Sequence, residues 1–217
     1  MIIEDRVIFI SIVKTAGTTI RNIWKKNHSA WSKHTNVLNK TSNNKKGRRH
    51  FQIDIKKMNL KKYYIFTIVR NPYDRLVSLY LFSKRGGGGA NGNFALDINM
   101  QLTITLNSFK DFIINIKNKW DICKIDIRYK PMIDWIRDDD NNILTNKIVK
   151  FENLQEDMNE VFEQTGLTYI DFSKNHHYKS ENRKHWMEYY DKEILDIVNE
   201  LYYEDFKIFN YKTINII

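Results

Sequence analysis

The sequence predicts an α/β fold built on a mainly parallel sheet, and two observations predict it. Short, almost uninterrupted β-branched runs recur along the chain, as expected of strands covered on both faces. Each run is followed by a turn of small or capping residues and then by apolar residues at helical spacing. Strands alternating with helices in this way form parallel sheets with crossover helices.

Val7 to Val13 (VIFISIV) is the first run. It ends in Lys14-Thr15-Ala16-Gly17-Thr18-Thr19, after which Ile20, Ile23 and Trp24 recur at helical spacing. Residues 33–49 are polar and basic without apolar periodicity, so they are expected to form a surface loop. Tyr63 to Val69 (YYIFTIV) is the second strand, stopped by Arg70-Asn71-Pro72. There Asn71 is suited to cap a helix and Pro72 to occupy its first turn. Leu76, Val77, Leu79, Tyr80 and Leu81 carry that helix to about Lys84, and Gly86 to Gly89 end it in a loop.

Phe109, Phe112, Ile113 and Ile116 predict a further helix. Lys147 to Phe151 (KIVKF) is the third strand, followed by Glu152-Asn153-Leu154 and a helix through about Thr165. A last helix is expected from Asp191 to about Tyr203. No internal repeat is present, and residues 1–217 read as a single domain.

Composition narrows the partners. An apolar fraction of 42% over 217 residues supports a folded core. The 35 basic against 26 acidic residues leave a net charge of +9, which suits an anionic partner without choosing among nucleic acid, membrane, nucleotide or acidic polysaccharide. Cys123 is the one cysteine, which excludes an internal disulfide and a cysteine-cluster metal site; a buried, reduced thiol is expected. The first six residues lack a basic region followed by a long apolar stretch, and no apolar run approaches the roughly 20 residues that span a bilayer. The expectation is a soluble intracellular or cytoplasmic protein with no membrane anchor.

The turn after the first strand is the most informative stretch. Ligands of open α/β sheets sit beyond the carboxyl ends of the strands. A small-residue turn lets backbone amides approach a phosphate, and the following helix N-terminus adds donors and a positive dipole end. Lys14 adds a cation, and the hydroxyls of Thr15, Thr18 and Thr19 can complete a cradle that includes Ala16 and Gly17. The order differs from a Walker A loop, because the lysine precedes the glycine. An ordinary β–α turn with a surface lysine is equally compatible with the spacing alone.

Four ordered blocks carry a resemblance. Ile8 to Ile20 (IFISIVKTAGTTI) resembles the 5′-phosphosulfate loop of carbohydrate sulfotransferases of the heparan type, and Phe66 to Tyr80 (FTIVRNPYDRLVSLY) resembles the same family's 3′-phosphate segment. Lys150 to Leu154 (KFENL) and Tyr202 to Tyr211 (YYEDFKIFNY) follow as further landmarks. The resemblance implies a three-layer, P-loop NTPase-like sulfotransferase fold. It also implies transfer of the sulfuryl group of 3′-phosphoadenosine 5′-phosphosulfate (PAPS) to a hydroxyl acceptor, a carbohydrate in the first instance. The product is 3′,5′-adenosine bisphosphate, and no metal is expected.

By the same resemblance Arg70 and Ser78 hold the 3′-phosphate, and Lys14 neutralises the leaving group. Arg70 offers a fork of donors suited to a phosphate dianion. Arg75 faces elsewhere and has Asp74 or a sheet carboxylate as its alternative partner. Ser11 and Val13 stand where the family commonly has His and Pro, and Met132 puts in doubt a polar contact the family often makes there.

A histidine is well matched to the role of base. His50 lies twenty residues before Arg70, as in similar sulfotransferases, with Glu152 as the second candidate. The segment NHHYKSENRKHW resembles a late donor contact and supplies Ser180 and Arg183. A zinc site from His176, His177 and His185 is disfavoured because adjacent histidines point apart. The basic residues 44–50 and Lys84-Arg85 suit an anionic acceptor or simply a solvated charge run. Trp120, Trp135, Trp186, Tyr189 and Tyr190 suit sugar stacking or, more readily, core packing. A P-loop kinase lacks its lysine motif here, and a nucleic-acid-binding protein lacks any recognised signature.

Overall fold

The computed structural model describes residues 2–27, 59–85, 107–126, 128–172 and 183–215, and of residues 25–27 the backbone alone. Two compact units are present, Met1–Arg70 with Asp134–Lys179, and Asn71–Ile133 with Ser180–Ile217.

The first unit holds a four-stranded mixed sheet in the order β1(Ile2–Ile3), β2(Val7–Ile10), β3(Tyr64–Val69), β4(Lys147–Lys150). β2, β3 and β4 are parallel, in a register that pairs Phe9 with Phe66 and Ile68 with Val149. β1 adds an antiparallel edge through Ile2 and Ile8, and its two residues are too few to show a strand pattern in sequence. α1(Gly17–Asn27) and α5(Leu154–Thr165) pack on one face. Their Ile20, Ile23, Trp24, Met158, Val161 and Phe162 bury against Phe9, Phe66, Ile68 and Val149. Phe9 stacks on Phe66 at 4.9 Å, worth about 1 kcal/mol beyond its burial.

Ile8, Ile10, Ile65 and Val69 point to the opposite face and are buried as well. Burial on both faces is the reason for the continuous apolar runs. Thr67 is the polar exception, and its hydroxyl donates to the Ile10 carbonyl at 2.8 Å. α5 ends at Gly166, whose φ of 61° supplies the left-handed cap.

The second unit is helical, with α2(Pro72–Lys84), α3(Phe109–Asn118), α4(Trp120–Cys123), α6(Lys192–Leu201) and α7(Tyr203–Ile208). α2 begins as its sequence predicts: Asn71 Oδ1 accepts from Tyr73 N at 3.0 Å, and Pro72 fills the first position. The last predicted helix is α6, with Asp191 capping Ile194 N and its end at Tyr202, and α7 follows beyond the predicted bound.

Aromatic rings fill this unit. Tyr73 stacks on Trp186 at 5.1 Å and meets Tyr190 and Phe206. Phe109 meets Tyr80, Phe112, Tyr189 and Tyr190, and Trp120 meets Tyr202 edge-on. These contacts assign Trp120, Trp186, Tyr189 and Tyr190 to packing. Among the described residues no helix is long and apolar enough to cross a membrane.

Candidate active site

β2 stops at Ile10, three residues earlier than its apolar run, because the chain turns sharply between Ser11 and Ala16. Lys14 and Ala16 both adopt φ of 70°. Left-handed backbone is unfavourable for residues with a Cβ, by about 1 kcal/mol or more each, and such outliers concentrate at functional sites. Alternation of left-handed residues with others aims successive amides at one point, which makes a concavity for an anion.

Gly17 is not left-handed; it is there for space. A Cβ at this position would lie 2.1 Å from Ser11 Oγ, so glycine lets the strand end and the helix start approach. The first ladder bond of α1 runs from Ile20 N to Ala16 O at 3.1 Å. The amides of Gly17, Thr18 and Thr19 therefore precede the helix ladder, at its positive end.

The hydroxyls divide unequally. Thr15 is fully buried, and its Oγ1 donates to the Ile12 carbonyl at 3.1 Å, so it braces the turn. Thr18 is exposed, and its Oγ1 accepts from Arg21 Nη2 at 3.2 Å, which leaves its own proton to donate elsewhere. Thr19 is half-buried. Arg21 was not read as a site residue. Burial lowers its pKa, yet three residues from Thr18 it shares one helix face with the turn.

Arg70 follows β3 and is buried. Its Nη1 donates to the Lys14 carbonyl at 3.2 Å, and its guanidinium lies 4.2 Å from the centre of the Phe151 ring. The arginine of one predicted phosphate block thus touches the lysine of the other, 56 residues away. Phe151 is a partner that sequence reasoning missed, although it stands in the block read for Glu152. Glu152 itself is exposed in a 3₁₀ turn, Phe151–Asn153, directly after β4. Asn153 is the N-cap of α5 but makes no side-chain cap bond.

In the second unit Ser78 lies half-buried on α2. Arg75 is buried and donates to the carbonyls of Arg128 at 3.2 Å and Lys130 at 3.1 Å. Asp74, one of the alternative partners considered for Arg75, accepts from Arg183. Desolvation lowers the pKa of Arg75, with Tyr202 and Asp205 acting against it. Asp205 is fully buried and accepts from the amides of Met132 and Ile133 at 2.8 and 2.9 Å. Its place is therefore in the frame of the segment that carries Lys130, Pro131 and Met132.

Cys123 is buried as expected, and burial with nearby Asp126 pushes its thiol up to about 12. His185 caps a 3₁₀ turn, Trp186–Tyr189, through Nδ1. His50, Ser180, His28, His34, His176, His177, the loop 33–49 and Gly86 to Gly89 lie outside the described residues.

A mainly parallel sheet with a strained small-residue turn at a strand's carboxyl end, a helix start behind it and a buried arginine on the turn suits a class of proteins that bind an anionic nucleotide and transfer a group from it. Residues 2–212 match the model of the sulfotransferase family, through both compact units, and the chain belongs to that family. The chemistry is accordingly sulfuryl transfer. No curated protein and no solved structure matches the chain.

Proposed function

We propose that the chain transfers the sulfuryl group of PAPS to a hydroxyl group, with a carbohydrate as the acceptor class. The observation that carries the reading is the contact of Arg70 with the carbonyl of Lys14. It supports a donor held by two blocks that sequence alone could only match separately to a 5′- and a 3′-phosphate.

The residues fit such a donor. The amides of Ala16 to Thr19 offer donors to a 5′-phosphate, and the Lys14 ammonium neutralises charge on the bridging oxygen as it departs. The Arg70 fork suits the 3′-phosphate, with Phe151 behind it holding the plane of the guanidinium. Ser78, Ser180 and Arg183 are proposed as further donor contacts on sequence resemblance alone.

PAPS supplies the activated sulfuryl group when bound. The bond from sulfur to the bridging phosphate oxygen breaks as the acceptor oxygen bonds to sulfur. The acceptor's proton passes to a base, and the bisphosphate leaves. His50 is the proposed base and Glu152 its alternative; the exposure of Glu152 at the carboxyl end of β4 supports keeping it in view. Positioning and charge neutralisation supply most of the rate in this scheme.

The test is incubation with sulfur-labelled PAPS and a panel of neutral and acidic oligosaccharides. Labelled saccharide together with bisphosphate is the expected product. Bisphosphate formation with water alone, or no release across the panel, would remove the carbohydrate assignment.

A further inference from the structure

The buried threonines of the first unit spend their hydroxyl protons on the fold. Thr15 donates to the Ile12 carbonyl, Thr67 to the Ile10 carbonyl and Thr165 to the Val161 carbonyl. Thr18, exposed at the start of α1, does the opposite. Its Oγ1 accepts from Arg21 Nη2 at 3.2 Å, and its proton has no acceptor among the described residues. The carbonyl four residues back, the kind that Thr165 uses, belongs here to Lys14 and accepts from Arg70. Thr18, Arg21, Lys14 and Arg70 all lie in the first unit.

The position of Arg21 is electrostatically unfavourable in the free protein. Helical side chains lean toward the helix N-terminus, so its guanidinium reaches back over the first turn of α1. That is the positive end of the helix, and the first turn holds no acidic residue. Arg21 is half-buried, burial lowers its pKa, and it makes no ion pair among the described residues. Its one hydrogen bond there is the bond to Thr18. A partly desolvated, unpaired cation at a helix's positive end costs stability, and an anion on the turn offsets that cost.

We propose that Arg21 is a positioning residue for the 5′-phosphate end of the donor, fixing the Thr18 hydroxyl as a proton donor toward an anion on the turn. This rests on the reading of that turn as the donor site. A hydroxyl has one proton and two lone pairs. With a guanidinium on the oxygen, the proton is directed away from the guanidinium, and the polarised hydroxyl is a stronger donor. Thr18 then meets an anionic oxygen with its rotor already set, and Arg21 itself needs no contact with the ligand.

The test is calorimetric titration of wild type, Arg21→Met, Thr18→Val and the double variant with 3′,5′-adenosine bisphosphate and with adenosine 3′-monophosphate. Arg21→Met is expected to weaken the bisphosphate about three- to tenfold and to leave the 3′-monophosphate unchanged. Thr18→Val should show the same pattern, and Thr18→Ser should recover binding. In the Thr18→Val background, Arg21→Met should add less than about twofold, because Arg21 acts through the hydroxyl. Full bisphosphate affinity in Arg21→Met, an equal loss for both nucleotides, or additive losses would overturn the positioning role while leaving the donor reading standing. Failure of the wild type to bind the bisphosphate would overturn both. Should Arg21→Met not fold, Thr18→Val decides: weaker bisphosphate binding is expected, and equal affinity overturns the proposal, since Arg21 then has no hydroxyl to act through.

Discussion

The two units use their cations in opposite ways. In the first, half-buried Lys14 sits on a turn with left-handed backbone at the carboxyl end of β2, and the buried Arg70 after β3 braces it through the Lys14 carbonyl. In the second, Arg75 and Arg128 are buried and directed inward. Arg75 holds two carbonyls, and Arg128 is closed in a buried pair with Asp126 at 2.7 Å. A net charge of +9 therefore says little by itself, since some of the positive charge is consumed by the fold.

That difference can be broken by mutation, and the largest effect is expected in the inward-facing set. Arg75→Ala removes a donor from the Arg128 and Lys130 carbonyls and a positive charge attracted to Asp205. It should cost on the order of 3–5 kcal/mol, read as a lower denaturation midpoint in urea. Lys14→Ala should do the reverse. Transfer should slow by about 10²- to 10³-fold with the urea midpoint nearly unchanged, as for loss of a preorganised group at a developing charge. A stability loss in Lys14→Ala to match that of Arg75→Ala would erase the contrast.

A smaller effect comes from pH. Burial raises Cys123 from 9.0 and Tyr129 from 10.0, each to about 12. The folded state holds these protons more tightly than the unfolded chain, so their contribution is complete below about pH 9. It is lost as pH rises from there towards 12. Melting temperature should fall across that window, and Cys123→Ala should make the fall shallower. The smallest effect is expected at Gly17→Ala, where the new Cβ forces the Ser11 hydroxyl out of its rotamer at a cost of about 1 kcal/mol. Adding Ser11→Ala should restore most of the stability, which a thermal melt of the pair would show.

Much of the first unit was legible in the sequence because its signals are local. The apolar runs and the end of α5 near Thr165 follow from neighbours in the chain, as does the Asn71-Pro72 start of α2 in the second unit. The strain at Lys14 and Ala16 was not legible, since neither residue type announces a left-handed backbone. The observed partners of Arg75 and Asp74 were hidden for a different reason. Their partners lie 53 to 55 and 109 residues away, and for Arg75 they are backbone carbonyls, which any sequence can offer. Phe151 was hidden in the same way: an aromatic beside a carboxylate gives no sign that an arginine from another strand rests on it.

Arg70 and the turn from Lys14 to Thr19 are proposed to hold a nucleotide with a 3′-phosphate. The most direct measurement is calorimetric titration of wild type and Arg70→Ala with 3′,5′-adenosine bisphosphate, ADP and ATP, at moderate salt and without magnesium. One-to-one binding that favours the bisphosphate in the wild type, with the preference over ADP lost in Arg70→Ala, is the predicted result. Equal affinity for all three nucleotides, or a preference that survives the substitution, would contradict it.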